Sequence, residues 1–213
     1  MGSMMGFSGV LGKATMRNLI KTFLVMLMLS FSHAAIAGDL EDGIAAFEKG
    51  DFAAALRLWT PLAEQGDANA QLLLGSIYQK GDGVAQDYNT AVKWYTLSAE
   101  QGNISAQVNL GVMYDQGQGV AQDYKTAVKW FTLAAEQGIV LAQSILGVSY
   151  ADGKGVAQDY VKAHMWLNIA AIDGYAQAIK GRDIVAEQMT PAQIAEAQKA
   201  ANRCIKQNFK NCD

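Results

Sequence analysis

Two cysteines, two prolines and, beyond position 37, a single histidine leave this 213-residue chain short of the groups that metal and nucleophile chemistry use. A zinc site needs three or four ligands, and nothing is spaced to join His164. A Cys–His nucleophile pair would require Cys204 to be free and folded near His164. None of the patterns G-x-S-x-G, S-x-x-K or H-E-x-x-H occurs beyond position 37. Basic residues are scarce too. Positions 38–213 hold 14 Lys and Arg against 20 Asp and Glu, a net charge of −6. That balance excludes nucleic acid as a partner, because phosphate contacts need clustered Lys and Arg, and it supplies no polybasic face for anionic lipid. The apolar run Phe23–Phe31 is too short to cross a bilayer as a stable helix.

That run belongs to an export signal instead. Lys13, Arg17 and Lys21 precede it, and Ala35-Ile36-Ala37 follows as a small-x-small site, so cleavage is expected before Gly38. Residues 1–37 are read as a signal peptide, and the mature chain as periplasmic or secreted without stable membrane insertion. Export permits a disulfide between Cys204 and Cys212. Eight residues of continuous helix would separate their Cα atoms by about 12 Å, too far to bridge. A bridge therefore requires the last helix to end near Asn208 and the tail to fold back; two free thiols are the other reading.

What the chain has in quantity is a repeat. GDGVAQDYNTAVKWYTLSAEQG (Gly81–Gly102) returns as GQGVAQDYKTAVKWFTLAAEQG (Gly117–Gly138) and as GKGVAQDYVKAHMWLNIAAIDG (Gly153–Gly174), each 36 residues after the last. A constant period of this size specifies a stack of supersecondary units in one elongated domain. The units run 67–102, 103–138 and 139–174, after a leading unit at 38–66 with a shorter inner loop and before capping helices at 175–213.

Each unit opens with a helix, Ala70–Lys80, Ala106–Gln116 or Ala142–Asp152, that a glycine (Gly81, Gly117, Gly153) stops in the left-handed conformation. Gly75, Gly111 and Gly147 sit in the middle of these helices, where glycine costs about 1 kcal/mol against alanine. Close approach of the next helix, through Trp94, Trp130 and Trp166, is the expected compensation. Asp87, Asp123 and Asp159 suit the N-caps of the second helices. The leading unit is read as helices over Asp39–Lys49 and Phe52–Gln65, with Pro61 expected to kink or break the second. Ala176–Gln188 reads as a further helix. Thr190-Pro191-Ala192-Gln193 then forms a capping box for a last helix, whose apolar face carries Ile194, Ala197, Ala201 and Ile205. Arg182, Asp183, Glu187, Glu196, Lys199 and Arg203 supply the polar outer side that a terminal unit needs.

Ala70, Leu74, Gly75, Tyr78, Gly81, Gly83, Val84, Asp87, Tyr88, Ala91, Trp94, Ala99 and Gly102 together resemble the signature of the Sel-one-like repeats, relatives of the tetratricopeptide repeats, with Ser98 replacing the first alanine of an A-A pair. The match covers roughly Gly43 to Gly174. The resemblance implies an all-α fold: a right-handed α-solenoid of helix-turn-helix repeats with a helical C-terminal cap, serving as an adaptor in protein assemblies. A cysteine-rich branch of that family binds penicillins, with weak β-lactamase activity reported for some members, and staples its repeats with cysteine pairs. No full repeat here holds a cysteine.

The G-x-G-V loops lack the preceding strand and third glycine of a dinucleotide site and are read as structural. The Tyr and Trp rows have core spacing, which leaves Tyr175, outside the repeat frame, as a candidate exposed aromatic. His164 shares a slot with Val92 and Val128 and is read as a half-buried or surface variant. No catalytic residue, cofactor or metal is assigned. Three positions in each first helix change type between units: Leu72/Val108/Ser144, Ser76/Val112/Val148 and Gln79/Asp115/Ala151. Their +4, +3 spacing puts them on one stripe, expected to line the concave face and hold a protein or peptide partner. An envelope β-lactam binder and a secreted host-contact protein are the alternative readings.

Overall fold

The computed structural model describes residues 38–212. Among them are ten helices and no strand: α1 (38–48), α2 (Phe52–Glu64), α3 (Ala68–Lys80), α4 (Tyr88–Glu100), α5 (Ile104–Gln116), α6 (Tyr124–Ala135), α7 (Val140–Asp152), α8 (Tyr160–Ala170), α9 (Ala176–Ala186) and α10 (Pro191–Lys206). The export signal lies outside the described residues. The chain divides into two compact units, with the boundary between Leu58 and Trp59. That division falls inside the leading repeat rather than at its end, because the second half of α2 belongs to the stack: Trp59, Leu62 and Ala63 are buried, and Gln71 Nε2 donates to the Ala63 carbonyl at 3.0 Å. In the first unit, Phe47 and Phe52 meet edge to face at 5.2 Å across the turn at Gly50. Helix α2 continues through Pro61, which is solvent-exposed, so water can serve the carbonyl that proline leaves without a donor.

In the second unit each helix packs on the next in sequence, α3 on α4, α4 on α5, and so on to α8, an α-solenoid of helix pairs. The first helices start two residues earlier than their apolar pattern suggests. Asp67 and Asn103 cap α3 and α5 by accepting from the N–H three residues on, whereas Ile139 gives α7 no side-chain cap. Asp87 and Asp123 each accept from two backbone N–H groups and from a threonine hydroxyl at 2.6 Å. The threonine hydrogen bonds hold both carboxyls below the usual carboxylate range.

The turn between paired helices is a built object, repeated three times. Gly81, Gly117 and Gly153 adopt φ near +70 to +80° and return their N–H groups to the helix. Gln86, Gln122 and Gln158 then donate to the carbonyls of Gln79, Asp115 and Ala151 at 2.7–2.8 Å. The second glycine of the last two loops has a separate duty. A Cβ on Gly119 or Gly155 would run into the backbone of Tyr88 or Tyr124, at the start of the previous unit's second helix. The loops thus key one repeat to the one before it.

The mid-helix glycines do accept a close helix, but the neighbour is the residue after each tryptophan. A Cβ at Gly75 would lie 2.6 Å from the Tyr95 ring, at Gly111 2.7 Å from Phe131, and at Gly147 2.6 Å from Leu167. The rotation of the second helix decides this. It turns residues 95, 131 and 167 into the pair and leaves Trp94 and Trp130 half-buried at its margin.

Trp166 is fully buried because α10 packs on α8. The slots tell the same story: exposed Lys93 and Lys129 give way to buried Met165, and exposed Leu97 and Leu133 to buried Ile169. These residues share a core with Ala201 and Cys204 of α10. Helix α10 begins with the Thr190–Gln193 capping box and ends at Lys206. Asn208, Phe209 and Asn211, all at positive φ, then reverse the chain. Cys212 is disulfide-bonded to Cys204, Cα to Cα 4.9 Å, and Phe209 seats against Gly138. Closing so small a loop restrains the unfolded chain by about 2–3 kcal/mol.

Replacing Gly111 with alanine separates two opposed effects. Helix propensity alone would stabilise by about 1 kcal/mol, while the clash with Phe131 costs about 1–3 kcal/mol. Urea unfolding of Gly111→Ala is expected to show a net loss of stability.

Candidate partner-binding groove

Four of the nine stripe residues meet in one groove. Val112 and Asp115 come from α5, and Ser144 and Val148 from α7. Phe131 forms its floor, Leu141 and Ile145 widen its apolar wall, and Tyr175, ahead of α9, lines it as well. The volume is about 410 Å³. Leu141 and Val148 are 46% and 45% exposed, unusual for large aliphatic side chains set side by side around a concavity. The rim is polar: Asp115, Asp152 and Lys154. Lys154 Nζ lies 2.8 Å from Asp115 and 4.2 Å from the centre of the Tyr124 ring. The hydrogen bond to Asp115 keeps this ammonium above its usual range.

The other stripe residues have different duties. Leu72 and Val108 are half-buried against the cores of the following helices, and Ala151 packs on the α8–α9 cluster. Gln79 and Ser76 turn to Tyr95, whose hydroxyl donates to Gln79 Oε1 at 2.7 Å. Burial pushes the Tyr95 phenol up to about 12. In the next repeat Phe131 has no hydroxyl and Val112 replaces Ser76. The first repeat's share of the face is therefore hydrogen-bonded, with Asn109 of α5 also reaching Tyr95, and the share built around Val112, Phe131 and Val148 stays open and apolar. Leu141 and Ile145 share the helix face of Ser144 and Val148, at spacings of three and four, but were left out of the stripe; Lys154 lies in the turn beyond α7, and its signal was a charge in a slot that holds Asp82 and Gln118 elsewhere.

A second repeated network runs through the interior. Gln71, Gln107 and Gln143 are each buried and donate to the carbonyls of Ala63, Ala99 and Ala135. Gln101 and Gln137 donate onward to the side-chain oxygens of Gln71 and Gln107 at 2.8 and 2.9 Å. The 36-residue recurrence of Ala-Gln was legible in the sequence as the signal for this ladder. Ser98, in the slot of Ala134, donates to the Ala68 carbonyl at 2.6 Å.

The chain carries the Sel1 repeat in four consecutive matches, over residues 34–67, 68–103, 104–139 and 140–175. It belongs to the Sel1 repeat family. Among solved structures it is similar to a Sel1 repeat protein from Oxalobacter formigenes, with 38% identity over 61% of this chain and 97% of that one, at a TM-score of 0.56. It is also similar to c5321, a protective antigen present in uropathogenic Escherichia coli strains that displays an SLR fold, with 29% identity over 83% of this chain and 47% of that one, at a TM-score of 0.51. Among curated proteins, none matches. Among the described residues, no group of three or more His, Cys, Asp or Glu could hold a metal ion, and no helix is long and apolar enough to cross a membrane.

His164 corrects its expectation as a half-buried or surface variant. It is 3% exposed, and its Nδ1 has no protein partner. The slot is an interior one, as the near-complete burial of Val92 and Val128 agrees. Cys204 is buried and disulfide-bonded, so it offers His164 no nucleophile. Burial, reinforced by Arg182 and opposed by Asp183, holds the imidazole below its ordinary value of 6.5. In acid the unfolded chain takes up a proton that the folded chain refuses. Stability is therefore full above about pH 6.5, falls as pH drops toward the folded-state value, and levels off below it. Urea melts at pH 7.5 and 5.5 should show a smaller stability loss in His164→Val than in the wild type.

Proposed function

We propose that this protein is a non-enzymatic adaptor, exported to the periplasm, that holds a protein or peptide partner in the groove between α5 and α7. The observation that carries the reading is the exposure of Leu141 and Val148 beside Val112 over a buried Phe131 floor. Apolar side chains left open in a concavity gain free energy by burial against a partner, about 25 cal/mol per Å² removed from water. Membership of a repeat family that generally mediates protein contacts supports it. Export is supported by the N-terminal signal pattern and by a disulfide suited to an oxidising compartment.

The similarity to a protective antigen favours a second reading, a secreted protein in contact with a host. Recovery from culture medium rather than from the periplasm would favour that reading over the first.

Val148→Arg places a charge in the groove at a position exposed enough to leave folding intact. Leu133→Arg does the same at a site of similar exposure outside the groove. Crosslinking pull-down from native envelope extract is expected to lose its partner with Val148→Arg and keep it with Leu133→Arg, at unchanged melting temperatures. Equal retention by both variants would reject the groove.

A further inference from the structure

The rim charges of this groove do not cancel, and their imbalance says what kind of chain fits. Three ionised side chains border the apolar wall: Asp115, Asp152 and Lys154. Lys154 is already committed, 2.8 Å from Asp115 and over the Tyr124 ring. Asp152 is exposed and has no ion-pair partner among the described residues. It is the last residue of α7, one turn beyond Val148. An apolar wall thus ends in two carboxylates against one ammonium, since Lys154, paired with Asp115, attracts Asp152 as well but carries a single charge, on a chain whose 38–213 portion is itself acidic.

The volume limits the occupant as well. About 410 Å³ admits a few side chains; a whole helix, about 10–12 Å across with its side chains, could present only one face to it. Lys154 and Asp115 clasp each other across the α5–α7 gap, from the turn after α7 to the end of α5.

We infer that the groove takes a short peptide segment with aliphatic side chains flanking a lysine or arginine: the aliphatic groups lie against Val112, Leu141 and Val148, and the cation reaches Asp152. This rests on the groove being the partner site, and it adds the chemistry of the partner. An acidic segment is disfavoured twice, by Asp152 nearby and by the net charge of the whole surface.

Three blocked peptides test it, Leu-Arg-Leu, Leu-Gln-Leu and Leu-Glu-Leu, titrated into the intact, disulfide-bonded chain and followed by backbone amide shifts in NMR. Leu-Arg-Leu is expected to bind up to about fivefold more tightly than Leu-Gln-Leu, the upper end of what one exposed ion pair contributes, with Leu-Glu-Leu weakest. Shifts should centre on Val112, Leu141 and Val148. Added salt should shrink the preference, and Asp152→Asn should remove it. Equal affinity for the three peptides, with shifts still in the groove, would overturn the charge assignment and leave the groove as the partner site. Absence of groove shifts with every peptide would overturn both.

Discussion

Everything in the stack depends on how closely two helices can lie at Gly75, Gly111 and Gly147. Each glycine admits a ring or a branched side chain of its partner helix at a distance no Cβ would allow. The cost to helix propensity, about 1 kcal/mol each, is offset by a contact that fixes the rotation of the second helix. That rotation decides which residues become core and which become surface. It puts residues 95, 131 and 167 inside, and the exposed Leu97 and Leu133 outside.

Once the pairs are set, a close backbone fit and a polar ladder hold one pair against the next. Gly119 and Gly155 let their turns approach the preceding unit, the loop glutamines close each turn onto its own first helix, and the buried glutamine ladder satisfies the carbonyls where the second helices end. Each buried hydrogen bond contributes about 1 kcal/mol net, but leaving a buried carbonyl unpaired would cost about 1–3 kcal/mol. The ladder's weight therefore lies in enforcing register. It stops at the third unit, where Asp173 occupies the slot of Gln101 and Gln137 and is exposed. At the same unit α10 takes over, burying Trp166 and Ile169 beneath a helix whose tail is tied back by Cys204–Cys212.

The groove arises from departures from the repeat. In the first full unit Tyr95, Gln79 and Ser76 satisfy one another. In the second, Phe131 and Val112 leave only apolar surface, and Asp115 turns instead to Lys154 of the next turn. Identical repeats would have made a uniform face. Two substitutions on either side of the helix contact concentrate the open apolar surface at one place along it.

The 36-residue period, the glycine stops, the aspartate caps and the Thr190–Gln193 box were all legible in the chain, because each is a local event within a few residues of backbone. So was the identity of the variable stripe, four of whose members line the groove. The partner of each mid-helix glycine was not legible, since two neighbouring positions, tryptophan and its successor, differ only by a rotation of the helix about its axis. Nor was the burial of His164, which depends on the helices that pack around α8. The fate of Leu72, Val108 and Gln79 depended likewise on what stands opposite them. Spacing along one helix determines which residues share a face; only the packed neighbour decides whether that face is core, hydrogen-bonded or open to a partner.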